Sequence, residues 1–170
     1  LNDKNNQILN IDKCSYASMP EALEGKSEYT NYSFQTADIV EAKKLNSIIK
    51  DFVPNKIFHL AADSHVDRSI TGPQEFINTN IQGTFNILES IRKNLKNLPK
   101  DFILSHVSTD EVFGSLKLDD NLFSETSAYS PNSPYSASKA TSDLLVRAWN
   151  KTYGIKTAIT NCSNNYGPWQ

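Results

Sequence analysis

The chain has 170 residues, with 17 Lys+Arg against 19 Asp+Glu and 38% hydrophobic residues. This is enough for one domain with its own core, and without a basic stripe or Arg-rich run it is not read as a nucleic-acid binder. The apolar runs are too short to span a membrane, no signal peptide is read at the start, and Cys14 and Cys162 lack any C-x-x-C or His spacing for zinc, so a reduced, cytoplasmic, metal-free protein is expected.

In chain order, Gln7-Ile8-Leu9-Asn10-Ile11 reads as a strand ending at Asp12. Residues 13–32 are polar and irregular, punctuated by Pro20 and Gly25, and Tyr32 to Thr36 reads as a second strand running into Asp38. Glu41 to Phe52 has helical spacing, with Ala42, Leu45, Ile48, Ile49 and Phe52 on one stripe, and Pro54 ends it. Lys56 to Ala61 is a strand, and Ser64 to Gln74 is read as a loop. Asn78-Thr79-Asn80 reads as the cap of a long helix through Ile81, Phe85, Leu88, Ile91 and Leu95, stopped before Pro99. Phe102 to Val107 is an apolar strand, and a polar loop follows. The Tyr135 helix then runs through Ala140, Leu144, Leu145, Ala148 and Trp149 to Gly154, and Lys156 to Asn161 is the last strand. Alternating strands and helices, with several strands continuously apolar, predict an α/β fold: a Rossmann-like doubly wound parallel sheet.

The chemistry concentrates after the strands. Tyr135 and Lys139 are spaced to share one helix face, and an ammonium beside a phenol favours the phenolate, a base usable near neutral pH. Tyr-x-x-x-Lys is common by chance; it gains weight from Ser108 and Thr109, which can bond the same alcohol or carbonyl oxygen. Asp110-Glu111 after the 102–107 strand reads either as solvated acids or as an acid/base pair with separated pKa values. Asp12 reads as a solvated turn residue or as the acid that bonds the adenosine ribose of NAD and disfavours a 2′-phosphate. The glycine-rich phosphate loop expected before Asp12 is absent, since the first glycine is Gly25. The small residues of His59-Leu60-Ala61-Ala62-Asp63-Ser64 permit either close ligand approach or tight packing under a helix. The Thr79 hydroxyl can reach a cofactor from the helix opening, and Asn161 to Pro168 is a turn or a source of amide contacts to ligand. His59 and His106 are expected to be packed or hydrogen-bonded, with His65 at the site's edge.

Four stretches together resemble the extended short-chain dehydrogenase/reductase family, and within it the branch that dehydrates dTDP-glucose: His59 to Ile70, Ser108 to Gly114, Ser133 to Ala140, and Thr160 to Pro168. The resemblance covers almost the whole chain in order, and Thr109-Asp110-Glu111 is its most specific part. It implies an NAD-dependent lyase. Tyr135, aided by Lys139, takes the proton of the sugar C4 hydroxyl while NAD takes the C4 hydride; Thr109 bonds the C4 oxygen. Glu111 removes the C5 proton, Asp110 protonates the departing C6 hydroxyl, and the hydride returns to C6. By the same resemblance Asp12, Lys13, Ser15, Asp38, Ile39, Leu60, Ala61, Ala62, Ser64, Thr79, Tyr135, Lys139 and Asn165 contact the cofactor. Ser64, Thr109 and Asn164 meet the substrate. A homodimer packing residues 78–97 and 135–152 is implied as well. Asp63 and Phe113 depart from the family's usual glutamate and tyrosine, at non-catalytic positions. Other readings are another sugar-nucleotide 4,6-dehydratase, a 4-epimerase, or a non-catalytic fragment.

The start at Leu1 and the stop after Gly167-Pro168-Trp169-Gln170 predict an internal piece: residues 1–170 as a partial NAD-binding domain, with the family's first strand before it and its sugar-nucleotide domain after it. In the order 3-2-1-4-5-6 the first strand lies between the second and fourth, so the 7–11 and 56–61 strands each lose a partner. The piece is therefore expected to fold poorly and to be inactive by itself.

Overall fold

In the computed structural model, residues 3–168 are described. The elements are β1 (Ile8–Asp12), β2 (Tyr32–Thr36), α1 (Ala42–Phe52), β3 (Lys56–His59), α2 (Val66–Thr71), α3 (Pro73–Phe76), α4 (Gly83–Asn94), β4 (Ile103–Thr109), α5 (Pro134–Tyr153) and β5 (Thr157–Cys162). All strand pairs are parallel, in two sheets: β1 with β2, and β3-β4-β5. Lys13 Nζ, just past β1, lies 3.5 Å from Asp63 Oδ2, just past β3, so the carboxyl ends of the two sheets sit side by side. Parallel strands with intervening helices are the expected Rossmann-like α/β arrangement, and no ladder joins β1 to β3 among the described residues.

The core lies where α1, α4 and α5 meet the β3-β4-β5 sheet. Leu45 and Ile49 of α1, Ile87, Leu88 and Ile91 of α4, Leu104 of β4, Val146 of α5 and Ile155 form one buried cluster. Each α1 and α4 residue among them recurs at helical spacing. α5 begins at a capping box: the Ser133 hydroxyl accepts from the Ser136 amide at 3.0 Å, the Ser136 hydroxyl accepts from the Ser133 amide at 3.0 Å, and Pro134 fills the first turn. It ends at Gly154, whose φ of 72° is the left-handed cap.

Several expectations need correction. The 64–74 segment is largely helical, forming α2 and the start of α3. Asn78-Thr79-Asn80 is no cap: helix starts at Pro73 and passes without a break through a π-type segment, Ile77–Gln82, into α4. A proline in the first turn signalled that start, but the cap-like polar triplet masked it. Leu144 and Phe52 are exposed instead of packed on their stripes, and Phe85 lies at the rim against Trp149. The inner face of α5 is polar instead, with Ser136, Ser138, Lys139, Ser142 and Asp143 all buried.

Candidate active site

The β4 strand delivers Ser108 and Thr109 at its carboxyl end, both buried. A single 3-10 turn, Asp110–Phe113, follows directly, and Thr109 caps it by accepting from the Glu111 amide at 3.2 Å. Thr109 Oγ1 lies 3.4 Å from Asp110 Oδ1. Gly114 closes the turn at φ 98°, ψ −142°, a conformation open to glycine, with the Ser130 carbonyl packed where a Cβ would stand. Both carboxylates are thereby held within electrostatic reach of Tyr135, the second residue of α5.

Burial pushes the Tyr135 phenol upward, Glu111 adds to this, and the bond from Thr109 opposes it. The expected lowering by Lys139 is not present in this structure. The ammonium is turned to the Val107 carbonyl, 2.7 Å away, and burial pushes Lys139 itself downward. Glu111 is raised, first by burial and then by the Asp110 charge. A carboxylate with a raised pKa is a better base once ionised.

The cofactor-side residues fall along the carboxyl ends of β1 and β3, the crevice where open α/β sheets take ligands. The Asp12 carboxylate is exposed and closes an Asx turn, with Oδ1 accepting from the Cys14 amide at 2.7 Å and from Ser18 Oγ at 3.2 Å. Lys13 bridges to Asp63 and to Thr79 Oγ1, the latter at 3.3 Å, and so ties β1 to the π-type segment. Leu60 is 66% exposed, an apolar platform at the end of β3, next to Ala61 and Ala62. Ser15, Asp38 and Ser64 border the same crevice in sequence, whereas Ile39 is buried: its side chain packs into the core against Gly83 and its carbonyl accepts from the buried Asn86 side chain. Asn164 and Asn165 lie exposed beyond β5 and are not brought to the acid pair by any hydrogen bond among the described residues. His59 and His106 are buried, with His59 Nε2 2.9 Å from Thr84 Oγ1. His65 is exposed at the start of α2.

Two residues escaped the sequence reading. Asn80 donates to the Asp63 carbonyl (2.9 Å) and to Ser138 Oγ (2.8 Å) and accepts from the Asp63 amide (2.8 Å), joining the β3 loop to α5. Asp143, one turn beyond Lys139, receives a set of donors at the end of β4. Their spacing from Thr79 and Lys139 was the available signal. No helix among the described residues is long and apolar enough to cross a membrane, and none of their side chains form a cluster able to hold a metal ion.

The model of the family described as GDP-mannose 4,6 dehydratase matches residues 1–170. A dTDP-glucose 4,6-dehydratase of Salmonella typhimurium is 51% identical over 180 residues, covering 98% of this chain and 50% of that protein. The solved structure of DesIV, a dTDP-glucose 4,6-dehydratase of Streptomyces venezuelae with NAD and TYD bound, superposes with a TM-score of 0.88 at 40% identity, covering 97% of this chain and 48% of that one. The dTDP-glucose 4,6-dehydratase of Bacillus anthracis in complex with NAD gives 0.85 at 35% identity, over 99% and 50% of the two chains. The chain thus spans about half the length of the curated relatives it matches.

Proposed function

The chain belongs to the GDP-mannose 4,6-dehydratase family, and from that premise we propose that its protein is an NAD-dependent hydro-lyase converting dTDP-glucose to dTDP-4-keto-6-deoxyglucose. The observation that carries this reading is the Thr109-Asp110-Glu111 turn at the end of β4, with both acids facing Tyr135. An epimerase has no use for an acid pair; an elimination needs one group to take a proton from carbon and another to give one to the leaving hydroxyl.

The crevice fits NAD. Asp12 offers an exposed acceptor suited to ribose hydroxyls and repels a 2′-phosphate, and Leu60 with its small neighbours offers a flat apolar surface. Bound NAD supplies reversible hydride acceptance. Tyr135 takes the C4 hydroxyl proton, Thr109 holds the C4 oxygen as it becomes a carbonyl, and Lys139, once swung from the Val107 carbonyl, is assigned to aid Tyr135. The 4-ketone acidifies C5–H, which Glu111 removes while Asp110 protonates the departing C6 hydroxyl; water is lost and a 4-keto-5,6-ene is left. The hydride taken from C4 returns to C6 and Glu111 gives its proton back to C5, so the net change is loss of water with no net redox. Ser64 and Asn164 are assigned to the substrate, and Ser15, Asp38, Ile39, Ala61, Ala62, Thr79 and Asn165 to the cofactor. Residues 1–170 form part of the NAD-binding domain of a cytoplasmic homodimer. Exposed Phe85 and Leu144 on α4 and α5, beside the Trp149–Tyr153 ring pair, support a partner on those helices.

The test uses the full-length protein with dTDP-glucose and catalytic NAD. The 4-keto-6-deoxy product should form without net NADH. Glu111→Gln should lower product formation at least ~100-fold while reduction of bound NAD by the substrate survives. Epimerised sugar, or a Glu111→Gln enzyme as active as wild type, would sink the reading.

A further inference from the structure

Beneath the proposed site lies a buried polar cluster that the reaction does not use. Asp143 is 1% exposed, deep on the inner face of α5. Its Oδ2 accepts from Ser108 Oγ at 2.8 Å, Tyr129 OH at 3.0 Å and Asn161 Nδ2 at 3.3 Å. These donors come from β4, from the loop before α5 and from β5. Asn161 Nδ2 also donates to the Thr109 carbonyl at 3.2 Å. Asp143 Oδ1 lies 3.2 Å from His106 Nε2, close enough for a charge contact but misaligned for a hydrogen bond.

We propose that Asp143 is a positioning residue: its buried carboxylate clamps the carboxyl ends of β4 and β5 to α5, fixing Thr109 and the acid pair relative to Tyr135, and its negative charge keeps the neighbouring Lys139 an ammonium. The inference rests on the reading of Tyr135, Lys139 and the acid pair as the reacting groups.

Three physical points support it. An oxygen facing three donors is an acceptor site, and the Asp143 carboxyl oxygen supplies the lone pairs that fill it. A buried charge persists when it is hydrogen-bonded and opposed by another charge; Lys139 is bonded to the Val107 carbonyl, and Asp143, one turn on along the same helix, is the opposing charge. Burial pushes Lys139 downward and Asp143 is the charge that opposes it. The titratable and charged groups around the cluster are Tyr135, Lys139 and Arg147 on α5, His106 on β4, His59 on β3, Tyr129 in the loop, and Asp110 and Glu111 on the 3-10 turn. Of these, Tyr129 is pushed up to about 12 by burial and by Asp143, and so stays a donor at neutral pH.

Full-length wild type is compared with Asp143→Asn, Tyr129→Phe and Ser108→Ala. The readouts are kcat and KM for dTDP-glucose, and the titration of the Lys139 side-chain nitrogen in lysine-labelled protein, assigned by its loss in Lys139→Met. Asp143→Asn should lower kcat at least ~10-fold while KM stays within ~3-fold. Its Lys139 should titrate roughly one pH unit lower than in wild type, a change that a purely structural role does not produce. Tyr129→Phe should lower kcat by about 3-fold and leave the Lys139 titration in place. A folded Asp143→Asn with wild-type kcat and wild-type Lys139 titration overturns the proposal. If Asp143→Asn does not fold, wild-type kcat in both Tyr129→Phe and Ser108→Ala overturns it instead, and a drop in kcat at constant KM supports it. A wild type that leaves dTDP-glucose unchanged refutes the proposed function, while the Lys139 titration still decides whether Asp143 holds its charge.

Discussion

Val53 is a β-branched residue at φ 49°, ending α1 in the left-handed conformation that normally falls to glycine or asparagine. Its amide still bonds the Ile49 carbonyl at 3.1 Å, and its side chain is 40% exposed, so little packing depends on it. Val53→Asn should therefore raise stability by about 1 kcal/mol, read as a higher urea midpoint in the full-length protein. Pro54 marked the end of this helix in the sequence; the strain before it has no sequence signature, because nothing local favours valine there. Glu111 carries the pH dependence at this scale. Its carboxyl is raised, first by burial and then by the Asp110 charge, so activity should fall as pH drops through a point higher than an ordinary glutamate would set. Protonated Glu111 is the form the fold prefers: its contribution to stability is present below the unfolded-state pKa and lost as pH rises through the folded one. Because the Asp110 charge is the second cause of the shift, Asp110→Asn should move the acid limb of the kcat profile to lower pH even as it lowers kcat. An unmoved limb would show that Glu111 is not the base.

The π-type segment Ile77–Gln82 sets the geometry between elements. π-type turns inside helices often mark functional sites, and here the widened turn frees the Asn80 carbonyl to accept from Thr84 Oγ1 at 2.6 Å and from Ser142 Oγ at 2.7 Å. The Asn80 side chain meanwhile bonds both backbone groups of Asp63 and the Ser138 hydroxyl. One residue thus locks the crevice loop after β3 to the helix that carries Tyr135 and Lys139. Asn80→Ala leaves those buried groups unpaired and should cost about 2–3 kcal/mol of stability, measured by urea unfolding, with weaker NAD retention alongside. Strand identities were legible because apolar runs such as Phe102 to Val107 have no other stable use than a covered parallel sheet. The Tyr135 helix was legible from its run through Ala140, Leu145 and Trp149 to the closing Gly154, while Ser133 and Pro134, which start it, fell in the stretch read as loop. Its inward face was not: an amphipathic reading puts Leu144 inside, whereas the structure leaves it 57% exposed and buries Ser138, Lys139, Ser142 and Asp143 against Asn80 and the end of β4. Hydrophobic periodicity cannot find a helix face whose partners are polar. The acid pair, the Tyr-Lys pair and their order along the chain were readable as motifs; the carboxylate and amide that hold them were not.

At the scale of the whole molecule, the two sheets share no ladder, so β1 pairs only with β2 and β3 only with β4. Phe58, 66% exposed, lies on β3, the strand that borders this break. Among the described residues β1 and β3 are thus each hydrogen-bonded on one side only. What joins the halves of this chain is α1 packed on α4, the Asn86 side chain bonded to the Ile39 and Val40 carbonyls at 3.0 and 3.1 Å, and the bridge from Lys13 to Asp63 and Thr79. The last of these is long and half-exposed and adds little, on the order of 0–1 kcal/mol. Each free edge leaves donors and acceptors facing solvent or a partially dry gap, and exposed edges also template association with other chains. The 170-residue chain by itself should therefore unfold over a broad denaturant range and fail to retain NAD, while the β4–β5 half, paired on both sides of β4, keeps the slowest-exchanging amides. Hydrogen exchange on the isolated chain tests this directly. Slow exchange confined to β4 and its neighbours fits the gap; uniform protection across β1, β2 and β3, with a single sharp unfolding transition, shows that α1, α4 and the Asn86 bonds hold the halves together without a strand between them.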